Sequence, residues 1–251
     1  MTLANMLLLV CPLVFFASFV DSIAGGGGLI SLPAYLATGI PTHMAFGSNK
    51  LSASVGSLTA IIKYRKSKRI DFKAAGISAV LALAGAFAGT KLNLAIDASV
   101  MKKIVIVAIP FVAVFALLFD AKKHRREPQH GAELYLTCAA IGFVVGIYDG
   151  LIGPGTGTFL ILGFTAISGF DYVTASGNAK VVNFASNIAS LFVFLVDGSV
   201  YFSLAVPAAL CGIAGGWLGS SFAVKNGKRV VKTMMLFVLV GILIKLVADL
   251  L

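Results

Sequence analysis

Apolar residues run along the chain in long blocks separated by short polar stretches. The blocks predict ten helical segments: 3–24, 28–40, 42–63, 74–96, 99–119, 132–152, 157–169, 172–196, 199–223 and 230–250. Eight of them reach about the 20 residues that a helix needs to cross a bilayer. The segments 28–40 and 157–169 are shorter. As helices they span only about 18–20 Å, at roughly 1.5 Å per residue, against a hydrocarbon core of about 30 Å. The longest polar stretch, DAKKHRREPQH at 120–130, divides the chain. The reading is a first transmembrane repeat over 1–120, a basic cytoplasmic linker over 121–131 and a second transmembrane repeat over 132–251. The predicted fold class is an all-α polytopic membrane protein. It has two homologous halves of about five segments each, with eight full-length helices and two short or broken ones.

Aligning the halves supports the division. FGSNK (46–50) lies over SGNAK (176–180) at an offset of 130, and Gly85 and Gly89 then fall on Gly215 and Gly219. Asp21 falls on Asp149 once the offset shortens by two, and the cluster GGGG then faces GPGTG (153–157). An acid, a glycine cluster, a Gly-x-x-Lys and a GxxxG arrive in the same order twice.

Composition agrees with the membrane reading: 59% of residues are hydrophobic, 12% are charged, and mean hydropathy is +0.98. The net charge of +10 would fit nucleic acid, but the basic residues cluster in short loops without interleaved aromatics, so nucleic acid is excluded as a partner. Charge instead sets orientation. If the short segments cross, each half crosses five times and the halves are inverted. The loops 63–73, 122–126 and 225–232 then share one side and hold 14 of the 20 lysines and arginines. With four crossings per half, the split weakens to 10 against 7. The larger bias favours inverted halves with both termini outside the cytoplasm; a re-entrant short segment is the competing layout. The N-terminal run lacks a positive n-region and takes part in the repeat, so it is read as a retained helix. Cys11, Cys138 and Cys211 lie singly in apolar segments and the three histidines are scattered. No metal site or cofactor is predicted.

The chemistry concentrates where the helices should break. DSIAGGGGLISLP carries Gly25, Gly26, Gly27 and Gly28 directly after Asp21. Each glycine weakens a helix by about 1 kcal/mol relative to alanine, and backbone freed inside a membrane is tolerated only when buried in protein or lining a cavity. A helix restarting there presents N–H groups and the positive end of its dipole, which suits an anion. The second half repeats this with Asp149, Gly153, Gly155, Thr156 and Thr158, the threonines adding hydroxyl donors. Close helix contact is the alternative role for such glycines.

Lys50 lies about eight residues into its helix, some 12 Å deep at roughly 1.5 Å per residue, and Lys180 is its counterpart. A lysine at a helix centre costs about 2.5–3.5 kcal/mol, so each needs a partner or a wet cavity. Gly47, Lys50, Ser54 and Ser57 share one helix face, as do Gly177, Lys180, Asn183 and Asn187. Snorkelling to the interface is the competing account of the lysines. Lys50 and Lys180 are candidate anion-coordinating charges, with Asn49, Asn178 and Asn183 beside them. Asp21 and Asp149 are candidates for ion pairing, for capping the next turn, or for coupling.

The run from Asp21 through the glycines to Pro33, then Gly47-Ser-Asn-Lys50 and the basic KYRKSKRIDF, resembles the TauE/SafE sulfite exporter family. YDGLIGPGTGTFL followed by SGNAKVVN is similar to its YfcA-like branch. The resemblance covers nearly the whole chain. It implies a bacterial inner-membrane permease for small sulfur anions such as sulfite or organosulfonates. The expected function is therefore a secondary transporter for a small anionic substrate, in contact with membrane lipid and with self-association into a homo-oligomer left open. An anion channel and a non-transporting assembly subunit are the alternatives. No Walker motif and no nucleophile–base set is present, so neither direct ATP use nor an enzyme is expected.

Overall fold

The structure is a computed structural model that describes residues 1–118 and 127–226. The predicted segment 230–250 and most of the 121–131 linker lie outside the described residues. Among the described residues there are nine helices and no strand: α1 (Leu3–Ala24), α2 (Gly28–Ala37), α3 (Thr42–Lys66), α4 (Phe72–Ala95), α5 (Ala98–Leu118), α6 (Gly131–Leu151), α7 (Thr156–Ala166), α8 (Tyr172–Val196) and α9 (Phe202–Asn226). Within them, α1, α4, α6, α8 and α9 are long and apolar enough to cross a membrane. At 25 residues α3 is as long, but its lysines, arginine and serines lower its hydropathy. The helical lengths of α2 and α7 are 10 and 11 residues, shorter than the segments predicted for them. Gly39 and Gly169 take left-handed backbone at φ +83° and +78°, which closes off each short helix.

Both predicted breaks are present. Gly25 and Gly26 stand at φ +74° and +81° between α1 and α2, and Gly153 and Gly155 at +89° between α6 and α7. These conformations favour glycine and stop the helix.

The helices associate by exchange between the halves. α4 lies along α6, and α9 along α1. Gly142, Gly146 and Gly150 of α6 approach the backbone of Ser78, Ala82 and Ala86 in the same order, so α4 and α6 run parallel. Gly215 and Gly219 meet Phe15 and Phe19 of α1 in the same way. Small residues let backbones come close, which strengthens dispersion contacts where lipid gives no hydrophobic drive between helices. By contrast α3 and α8 run antiparallel. Phe46 near the start of α3 stacks on Phe194 near the end of α8 at 6.3 Å, while Gly177 near the start of α8 fits against Arg69 and Ile70 beyond the end of α3. The corners match too. Ser48 Oγ accepts the Tyr201 N–H at 3.0 Å, and Asn178 Oδ1 accepts the Asp71 N–H at 2.9 Å; both residues of the first bond sit at an offset of 130 from those of the second.

Large apolar side chains such as Leu8, Phe16, Val80, Phe111, Val144 and Leu210 cover the outside, as lipid contact requires. Inside, the described residues form two apolar clusters. One gathers Ile23, Tyr64, Leu160, Phe164 and Val182; the other gathers Val14, Leu32, Tyr35, Phe46 and Phe194.

Candidate functional site

The last turns of α1 and α6 carry the two acids. Each is matched with a lysine from the opposite half. Asp149 on α6 meets Lys50 on α3: Lys50 Nζ lies 2.7 Å from Asp149 Oδ2 and donates to the Asp149 carbonyl at 2.8 Å. Asp21 on α1 meets Lys180 on α8, with Nζ 2.5 Å from Oδ2. The pairs cross because α3 and α8 lie side by side while α1 and α6 sit on either flank.

Each carboxylate also ties down the restart of the next helix. Asp21 Oδ1 accepts the Gly27 N–H at 3.1 Å, and its carbonyl accepts the Gly25 N–H at 2.9 Å. Asp149 Oδ1 accepts the Thr156 hydroxyl at 2.8 Å. These bonds place negative charge against the positive ends of α2 and α7. The two breaks touch. A Cβ on Gly25 would overlap the backbone of Gly157 and Thr158, and one on Gly28 would come within 3.2 Å of Pro154 Cα. Thr158 Oγ1 donates to the Ala24 carbonyl at 3.3 Å and so satisfies the end of α1.

A cavity of about 40 Å³ lies at the breaks. It has room for a few waters or one small anion, since one water needs about 10–15 Å³ of such space. Asp21, Gly26, Gly27, Gly28, Asn49, Lys50, Asp149, Gly153, Gly155, Thr156 and Asn183 line it. Four other predicted residues do not. Gly25 and Thr158 form the contact between the breaks, Lys180 lies behind Asp21, and Asn178 caps the corner before α4. The cavity also takes in Ser18, Ser57 and Asn187, which the sequence reading did not select as site residues. Ser57 and Asn187 were visible on the polar stripes; Ser18 lies one turn before Asp21 on the same face of α1.

Two lining groups are buried without a partner: Asn49 Oδ1 and Ser57 Oγ. Their residues are 8% and 2% exposed, so bulk water does not satisfy them. Lys50 and Asp149 are each 2% exposed. The charges among Asp21, Lys50, Asp149 and Lys180 cancel. The arrangement can present one ammonium group, two helix starts and several neutral polar groups to a small guest.

The family model described as sulfite exporter TauE/SafE matches residues 10–246. A probable membrane transporter protein of a Sinorhizobium species, ORF9, is 34% identical over 94% of this chain and 90% of its own length. A probable membrane transporter protein of Haemophilus influenzae is 33% identical, covering 94% of this chain and 92% of its own. The probable membrane transporter protein YfcA of Escherichia coli K12 is 30% identical over 98% and 94%. No solved structure matches the chain. With its apolar spans and this match over nearly its full length, the chain is a multi-pass membrane protein that belongs to the TauE/SafE sulfite exporter family.

Proposed function

We propose that the protein is a secondary transporter that carries a small, sulfur-containing anion across the inner membrane, binding it in the cavity between the two helix breaks. The observation that carries this reading is a buried lysine, Lys50, in the wall of a small cavity where the starts of α2 and α7 converge. Lys50 and the helix starts supply positive potential, and the unpartnered Ser57 hydroxyl can donate to the guest. Lys180 acts from behind Asp21, setting how much of that carboxylate's charge the guest meets. Two apolar clusters, one of which reaches the cavity at Val14, provide closures for alternating access.

The transport unit is two inverted repeats, with α2 and α7 as the short crossing segments. The antiparallel course of α3 and α8, equivalent helices at an offset of 130, supports that layout. So does the gathering of basic residues at 63–73 and 225–232. A reporter fused to the C-terminus should read as extracytoplasmic; a cytoplasmic signal rejects it.

The site is tested by thermal-shift titration of purified protein with sulfite, thiosulfate, short sulfonates and carboxylates. Sulfur oxyanions should stabilise the wild type, and Lys50→Ala and Lys180→Ala should remove the effect. Unchanged affinity in both variants would sink the lysine assignment. Saturable counterflow in liposomes, without unitary conductance steps, distinguishes a carrier from a pore.

A further inference from the structure

The two ion pairs look alike but differ in what holds the second carboxylate oxygen. On Asp21 that oxygen takes a backbone N–H, from Gly27 at 3.1 Å, a group that only donates. On Asp149 it takes the Thr156 hydroxyl at 2.8 Å, a group that both donates and accepts. The same hydroxyl lies 2.6 Å from the Gly153 carbonyl oxygen. Thr156 can therefore donate to an ionised Asp149. If Asp149 is protonated, Thr156 can turn to Gly153 and accept the Asp149 proton instead. The Thr156–Asp149 hydrogen bond is kept in either state, with its direction reversed.

We propose that anion binding is coupled to protonation of Asp149. The incoming anion takes over the Lys50 ammonium, and Asp149 gains one proton, so anion and proton travel together. This rests on the anion-site reading above.

The charge balance requires such a step. The charges of Lys50, Asp149 and Lys180, which are buried, and of Asp21, which is partly exposed, cancel, and an added anion leaves one negative charge unpaired. Lys50 and Asp149 are each 2% exposed, and an uncompensated charge that deep is strongly unfavourable. The charged groups facing Asp149 are few. Lys50 comes from α3 and Asp21 from α1, with Lys180 of α8 behind Asp21. α2 and α7 line the cavity only with Gly28, Ser31, Thr156 and Gly157, and α4 contributes nothing to it. Tyr148, next along α6, donates its hydroxyl to the Pro154 carbonyl. Asp21 keeps Lys180, which has no exposed side-chain surface, so Asp149 is the acid released when Lys50 turns to the guest. The proton comes from solvent water, forms the Asp149 O–H bond, and returns to water when the anion leaves and Lys50 pairs again.

Calorimetric titration with methanesulfonate, a monoanion at every working pH, tests this when run at one pH in two buffers of different ionisation enthalpy. Wild type should take up about one proton per bound anion, and Kd should rise about tenfold per pH unit. Binding without proton uptake overturns the coupling and leaves the anion site standing. Failure of methanesulfonate and of every other small anion to bind overturns both. Infrared difference spectra of the wild type should gain a protonated-carboxyl band on binding. That band should persist in Asp21→Asn and vanish in Asp149→Asn; the reverse pattern refutes the assignment to Asp149.

Discussion

Removing Lys50 should destabilise the protein more than removing Lys180. In the first pair both side chains are about 3% exposed; in the second, Lys180 is fully buried and Asp21 is 17% exposed. Lys50→Ala leaves Asp149 with a single hydroxyl donor and no cation. Breaking a buried pair in this way costs about 3–5 kcal/mol. Lys180→Ala leaves Asp21 a backbone donor and a face on the cavity. Its loss should stay near the cost of one poorly satisfied buried group, about 1–3 kcal/mol. At about 2–4 °C per kcal/mol for a chain of this size, Lys50→Ala should lower Tm by roughly 6–20 °C and Lys180→Ala by roughly half of that or less. The assay is thermal unfolding in mild detergent at neutral pH without added anion. The variant Lys50→Ala/Asp149→Ala, which removes the stranded charge, should melt above Lys50→Ala alone. Equal losses in the two single variants, or no recovery in the double, would refute the exchange of partners as the source of stability.

Three further outcomes are expected. Gly25→Ala should lose more stability than Gly39→Ala in the same melting assay: both residues have positive φ, but a Cβ at Gly25 strikes the Gly157–Thr158 backbone whereas at Gly39 it meets nothing within 4 Å. Asn178→Ala and Ser48→Ala should each cost about 1–3 kcal/mol by stranding the Asp71 or Tyr201 N–H, with anion affinity little affected because both residues lie off the cavity. Asp171, which caps α8, should give acid-sensitive stability. Burial opposes its ionisation, but the Thr174 hydroxyl, the Thr174 and Val173 N–H groups and Arg69 outweigh that and hold its acidity below the usual carboxylate range. A carboxyl lowered on folding stabilises above its unfolded value, about 3.9, and loses that contribution as pH falls through the folded value. The gap between wild type and Asp171→Asn in chemical denaturation should therefore be full near neutrality and close in acid.

Much of this was legible from residue order. The matched acids, glycine clusters and lysines fixed where the helices break and which positions correspond, because a glycine run has few other uses at that depth. The cost of a buried lysine required a partner. Which acid each lysine meets was not legible. The pairs span 99 and 159 positions, and local spacing carries no information about how two halves interlock. Asn178 was read as part of the anion site from its place beside Lys180. On a helix adjacent positions point about 100° apart, and it turns to the corner instead. Ser18 and Ser57 escaped selection because serine is common in membrane helices, where it usually bonds its own backbone. Ser57 is unpartnered, and only coordinates reveal that. The ends of α2 and α7 were set too late because Thr38–Gly39 and Ser168–Gly169 had been counted with the apolar runs.

The crossed ion pairs bear on how the chain is made. Lys50 leaves the ribosome 99 residues ahead of Asp149, and Asp21 leaves 159 ahead of Lys180. At roughly 5–20 residues per second, each waits on the order of ten seconds beside the translocon before its counter-charge is synthesised. An early product cut off near the middle linker would hold Asp21 and Lys50 without the partners that each has in the folded chain.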